Sequence, residues 1–88
     1  MAWRIEFNPR ALDDLARLDQ QVQRRILKFL RERVAPLENP HAIGEALTGG
    51  LKGLWKYRVG PYRLICDIQG QHVRVMVVRI GHRREVYR

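Results

Sequence analysis

Leu54-Trp55-Lys56-Tyr57-Arg58-Val59-Gly60-Pro61-Tyr62-Arg63-Leu64-Ile65-Cys66-Asp67-Ile68 is the stretch on which the fold turns. It reads as two strands, 54–59 and 62–68, joined by Gly60-Pro61 as a two-residue hairpin loop. That loop pairs Val59 with Tyr62. Arg58 then lies directly opposite Arg63, Tyr57 opposite Leu64 and Trp55 opposite Cys66. Side chains alternate across a strand, so Trp55, Tyr57, Val59, Tyr62, Leu64, Cys66 and Ile68 make an apolar side. Lys56, Arg58, Arg63 and Ile65 make the other. A third strand, 72–80, follows a turn at Gly70, and its Val73, Val75 and Val77 extend the apolar side. Cys66 on that side reads as a small buried hydrophobe.

Upstream, Trp3, Ile5 and Phe7 alternate with Arg4 and Glu6, the pattern of a half-buried strand. Asn8-Pro9 opens a helix, with Asn8 as N-cap and Pro9 where a missing N–H costs nothing. Leu12, Leu15 and Leu18 are its expected apolar stripe. Asp19 caps a second helix with the stripe Val22, Ile26, Phe29, Leu30 and Arg33 or Val34, ended by Ala35-Pro36. Residues 37–53, directly after Pro36, hold Pro40 and the four glycines Gly44, Gly49, Gly50 and Gly53, and read as a loop, long enough to hint at function. The expected architecture is α+β: an N-terminal strand, a two-helix hairpin, then a three-stranded antiparallel meander with both helices on its apolar face. The 88 residues 1–88 are expected to form a single domain.

Charge is segregated along the chain. Residues 1–51 carry eight Lys/Arg against seven Asp/Glu, and residues 52–88 carry nine against two, so nearly all of the net +8 lies in the second part. Such a distribution is the footprint of a polyanionic partner, nucleic acid or an acidic protein. The Arg58/Arg63 pair sharpens it. Like charges directly opposite across two strands cost roughly 0.2–1 kcal/mol. Asp67, the one acid on these strands, lies four residues along, nearer Arg74. The pair is therefore read as uncompensated within the protein and completed by an anion from outside, for which guanidinium forks match phosphate.

Several chemistries are absent from the pattern. His41, His72 and His82 show no metal-ligand spacing, and one cysteine cannot make a disulfide framework or a cysteine-cluster metal site. No phosphate loop, dinucleotide fingerprint or Ser-His-Asp pattern occurs. No apolar run reaches the length of a membrane span, and charges interrupt the N-terminus where a leader needs its apolar core. Metal, cofactor and membrane are thus not expected, and the cytoplasm is the expected location.

With these residues in view, the chain resembles the RelE/ParE toxin superfamily, the toxin halves of type II toxin–antitoxin pairs. The resemblance rests on the opening strand followed by Arg10-Ala11-Leu12, on Leu51-Lys52-Gly53-Leu54-Trp55-Lys56-Tyr57-Arg58-Val59-Gly60-Pro61-Tyr62-Arg63, and on Ile80-Gly81-His82-Arg83-Arg84-Glu85-Val86-Tyr87. The last segment is similar to that of the RelE-like branch, the ribosome-dependent mRNA endonucleases (mRNA interferases). The resemblance implies cleavage of mRNA in the ribosomal A site. The ribose 2′-OH attacks its own 3′ phosphate and leaves a 2′,3′-cyclic phosphate and a 5′-OH, without a metal.

In that branch the site is built from residues matching Lys56, Arg58, Arg63, Arg83 and Tyr87. Cations suit the developing charge of the phosphorane, and Tyr87 or His82 suits the leaving 5′ oxygen. Lys52, Arg84 and Arg88 are expected further RNA contacts. The family often has a lysine, its proposed general base, where this chain has Arg58, and arginine is a poor base. Lys56, its neutral form favoured by neighbouring cations, His82, or catalysis by binding geometry alone remain as alternatives. The resemblance also implies a cognate RelB-like antitoxin, contacts with ribosomal RNA, and a toxin–antitoxin hetero-oligomer that binds operator DNA through the antitoxin. A second reading is a ParE-like inhibitor of DNA gyrase, which needs neither Lys56 nor Tyr87.

Overall fold

The computed structural model describes residues 2–82. Strand β1 (Arg4–Phe7) leads into helix α1 (Pro9–Ala16), and helix α2 (Gln20–Phe29) follows. The caps are those the sequence predicts. The Asn8 side chain accepts from Ala11 N–H at 2.8 Å, Pro9 takes the first helical position, and Asp19 accepts from Gln21 N–H at 3.1 Å. α2 closes in a π-helical turn, Leu30–Val34, in which Ala35 N–H donates to Leu30 C=O at 2.9 Å. The Ala35 carbonyl then accepts from Trp3 N–H at 2.8 Å and ties the helix end to the start of β1.

The stripe of α1 differs from expectation in one place. Leu12 is 51% exposed, and Ala11 is fully buried instead. The face set by Ala11, Leu15 and Leu18, spaced four and three, is the one turned to the sheet. On α2, Ile26 and Leu30 are buried, and Val34 rather than Arg33 completes the stripe.

The sheet has five strands in the order β1-β5-β4-β3-β2. β3 (Trp55–Val59) and β4 (Tyr62–Gln69) form the expected hairpin, with Arg58 opposite Arg63, Tyr57 opposite Leu64 and Trp55 opposite Cys66. Gly60, in its turn, has φ +60, a conformation that suits a residue without Cβ. β5 (Arg74–His82) pairs antiparallel with β4 and parallel with β1, which places it inside the sheet.

Three details depart from the sequence reading. The third strand starts at Arg74 rather than at residue 72. A 3₁₀ turn occupies Gly70–His72 and Val73 adopts φ +48, so Val73 precedes the strand and does not extend its apolar side. Residues 37–53 are not a plain loop. They contain a 3₁₀ turn (Pro40–Ile43), a two-residue strand β2 (Glu45–Ala46) on the outer edge of β3, and a second 3₁₀ turn (Gly49–Leu51). Finally, a bulge interrupts the β4–β5 ladder. Ile65 faces Arg79 while Cys66 faces Val77, so Val78 is the extra residue. α1 holds that bulge: Asp14 Oδ2 accepts from Ile80 N–H at 2.9 Å and from Arg79 Nε at 3.1 Å.

The core lies between the helices and one face of the sheet. Ala11, Ile26, Leu30, Val34, Tyr57, Val59, Leu64, Cys66, Val75, Val77 and Ile80 are buried there. Burial pushes the Cys66 thiol up, which suits an inert core residue. The opposite face carries the polar side chains, with Ile65 among them only 2% exposed. None of the described helices is long and apolar enough to cross a membrane.

Candidate active site

The open face of the sheet has two ends of different character. At the β1–β5 end, charges balance. Arg74 lies 3.7 Å from Glu6 and donates through Nε to Gln69 Oε1 at 2.6 Å. Gln69 Nε2 in turn donates to Asp67 at 2.9 Å, and Arg4 reaches Glu6 at 4.0 Å. At the β3–β4 hairpin end, Lys56, Arg58 and Arg63 share the face by register. A pocket of about 60 Å³ lies between Arg58, Gly60, Tyr62 and Arg63.

The reading of Arg58 and Arg63 as uncompensated is corrected by β2. Glu45 pairs with Lys56 across the β2–β3 ladder, and its carboxylate sits 3.2 Å from Lys56 Nζ and 4.0 Å from Arg58 Nε. Lys56, donating to it, holds the Glu45 carboxyl below its usual range, with Arg58 and Arg63 adding to the effect. No sequence period could show a partner that arrives on a strand of two residues. The available signals were the length of the 37–53 segment and an acid beside Gly44.

Local packing explains why Glu45 stands there. Tyr57, in the core, donates its hydroxyl to Pro40 C=O at 2.6 Å and pins the 37–53 segment. Burial pushes the Tyr57 hydroxyl pKa up, so it stays a donor. His41 stacks edge-on against Trp55 at 4.5 Å. Gly44 then runs close to both rings: a Cβ there would lie 3.2 Å from Tyr57 Cε1 and 3.4 Å from Trp55 Cε3. The next residue, Glu45, is delivered beside Lys56. Lys56 itself is only 14% exposed in its side chain, while that of Arg58 is 61% exposed.

His82 is separated from this set. It pairs with Tyr62, whose neighbour across the hairpin is Val59 of the core side, whereas the partner of Arg63 on β5 is Gly81. The His82 and Tyr62 rings meet edge-on at 6.1 Å. Both line a cleft of about 360 Å³ with Asp14, Arg17, Leu18 and Arg79. The structure therefore brings together Lys56, Arg58 and Arg63, adds Glu45, and sets His82 toward the helix side. Lys52, exposed, lies beyond the 3₁₀ turn before β3. Arg83, Arg84, Tyr87 and Arg88 lie outside the described residues.

Comparison with known proteins adds an independent line. The model of the family described as ParE toxin of the type II toxin–antitoxin system matches residues 5–87. The chain is 28% identical to Toxin RelG of Mycobacterium tuberculosis over 88 residues, covering 100% of this chain and 99% of that protein. It is 31% identical to Toxin RelE of the same organism over 86 residues, covering 98% and 87%. The fold matches a chain in the crystal structure of the toxin–antitoxin complex RelBE2 from Mycobacterium tuberculosis, with a TM-score of 0.85, 26% identity and coverage of 97% and 95%. The expected resemblance holds: this chain belongs to the RelE/ParE superfamily of type II toxin–antitoxin toxins.

Proposed function

We propose that the protein is an endoribonuclease toxin that cuts mRNA in the ribosomal A site, using the cationic end of the open sheet face. The observation that carries this reading is the placement of Glu45 between Lys56 and Arg58, with Arg63 directly across from Arg58. A scissile phosphate seated among the three cations displaces them from the carboxylate. That leaves an ionised acceptor next to the sugar. Glu45 takes the 2′-OH proton, the 2′ oxygen bonds to its adjacent phosphorus, and the bond from phosphorus to the 5′ oxygen breaks. Lys56, Arg58 and Arg63 neutralise the phosphorane as it forms. The 5′ oxygen leaves as a hydroxyl after protonation, the role expected of Tyr87, while Arg83 would add to the cations around the phosphorane. Side chains alone carry this scheme. Glu45 replaces Lys56 and His82 as the proposed base: it is the acceptor that stands 3.2 Å from Lys56 Nζ among these cations, and His82 lies toward the helix side.

The basic excess and the solved toxin–antitoxin complex of a similar chain support a RelB-like antitoxin as partner. The proposed assembly is a cytoplasmic hetero-oligomer that binds operator DNA through that antitoxin.

Primer extension on mRNA after induction tests the reading. Native protein is expected to give ribosome-dependent cuts. Arg63→Ala is expected to give none, and Glu45→Gln to lower the cleavage rate by roughly 10²–10⁴-fold. Undiminished cutting by folded Arg63→Ala protein overturns the proposal. The matching family, described as ParE toxins, favours one second reading, a gyrase inhibitor. Arrested supercoiling with no RNA cut would establish that one instead.

A further inference from the structure

β2 covers β3 only at Trp55 and Lys56. Beyond them the outer edge of β3, from Arg58 to Gly60, is flanked by α2. There the structure has a cleft of about 570 Å³, lined by Arg25, Lys28, Glu32, Arg33, Arg58 and Gly60 among others. A second cleft, of about 230 Å³, shares Phe29, Arg33 and Arg58 with it and continues to Lys56 and Glu45. The two make one groove from the hairpin turn along α2 to the Glu45 carboxylate. Residues 25, 28, 32 and 33 fall on one helix face.

The groove is cationic and open. Arg25, Lys28, Arg33, Arg58 and Lys56 stand in it against Glu32 and Glu45. Among the described residues no carboxylate lies within ion-pair distance of Arg25, Lys28 or Arg33, and all three are exposed. Arg25 lies over the turn: a Cβ at Gly60 would come 2.8 Å from its Nη1 and 3.1 Å from its Cζ. A glycine there keeps the guanidinium at the mouth of the groove. Phe29 and Ile43 are the apolar members apart from Val59. A protein segment would find few anchors, whereas a phosphate backbone would meet a cation at each step.

We propose that this groove holds the backbone of the substrate RNA strand flanking the cut, with Arg25, Lys28 and Arg33 as phosphate contacts. The proposal rests on the reading of the open face as an RNA-cutting site. Arg58 joins the two: the strand whose scissile phosphate sits by Arg58 and Arg63 continues past Arg58 along α2.

The test is fluorescence anisotropy on the full chain with 2′-O-methylated RNA, which cannot be cut by 2′-OH attack. A trinucleotide reaches the cleavage face alone, and a dodecanucleotide fills the groove as well. In an Arg25→Gln/Lys28→Gln/Arg33→Gln variant, the dodecanucleotide is expected to bind roughly tenfold more weakly. Its salt slope should fall by about 2, at about 0.7 per phosphate contact on a single strand. The trinucleotide should be unaffected. Glu32→Gln is expected to tighten the dodecanucleotide only. Equal loss for both RNAs, no loss for either, or no binding at low salt overturns the inference. So does a dodecanucleotide indifferent to the variant when a polyglutamate peptide loses affinity, which would assign the groove to an acidic protein. Arg63→Ala with the trinucleotide tests the cleavage-face reading separately.

Discussion

A lysine and a glutamate 3.2 Å apart on adjacent strands fix each other's direction, and Lys56 and Glu45 do so beside two arginines. The Glu45 carboxyl is held below its ordinary value chiefly by Lys56. Its contribution to stability is therefore present above the usual carboxylate range and is lost as pH falls through the lowered value. The pair is exposed on the Glu45 side and salt-screened, so that contribution is small. The charge coupling itself is measurable. In Lys56→Ala protein the Glu45 carboxyl should titrate at higher pH than in native protein, read by carbon-detected NMR of the side chain. An unchanged midpoint would remove Lys56 as the cause. The residues of this site were unequally legible. Lys56, Arg58 and Arg63 follow from strand parity and a two-residue turn, both local. Glu45 does not: its position depends on Tyr57 reaching Pro40 and on Gly44 fitting beside two aromatic rings, contacts with no periodic trace in the sequence.

The helices and the β3–β4 hairpin declare themselves through caps, stripes and alternation, because each is stabilised over a window of neighbouring residues. The bulge in β5 does not. One extra residue, Val78, shifts the parity of everything after it, so Val77 and Ile80 both reach the core although three positions apart. Asp14 supports this break by accepting from Ile80 N–H and Arg79 Nε, with only 10% of its side chain exposed. Asp14→Ala removes the acceptor for both donors and should destabilise the protein by about 1–3 kcal/mol. Asp14→Asn, which keeps a carbonyl for the Ile80 N–H, should recover part of that loss. Urea unfolding of the three proteins checks the order. Equal stability of Asp14→Ala and native protein would show that the bulge holds without α1.

At the scale of the whole molecule, the open face carries charged side chains at both ends but an excess of positive charge at the hairpin end only. Arg4, Arg74, Glu6, Gln69 and Asp67 satisfy one another at the β1–β5 end, which leaves the hairpin end to attract an anion. Addition of a short uncleavable RNA should shift amide resonances around Lys56, Arg58 and Arg63 in an NMR titration and leave those of Arg4, Glu6 and Arg74 in place. Shifts spread evenly over the face would mean that net charge, not arrangement, draws the ligand.

The strand that completes this sheet is made late. β5 lies between β1 and β4, and its pairing with β1 joins residues 70 positions apart, Arg4 with Arg74. On a translating ribosome, β1, both helices and the β3–β4 hairpin emerge before the strand that joins them exists. Until it arrives, Ile5 and Phe7 have no neighbour across the ladder, and the hairpin keeps an open flank. Pairings so distant in sequence close slowly. A nascent chain stopped before Arg74 has no centre to its sheet and no frame for Arg63. The sheet thus acquires its centre only after β1, both helices and the β3–β4 hairpin have passed through the kind of machine the protein is proposed to attack.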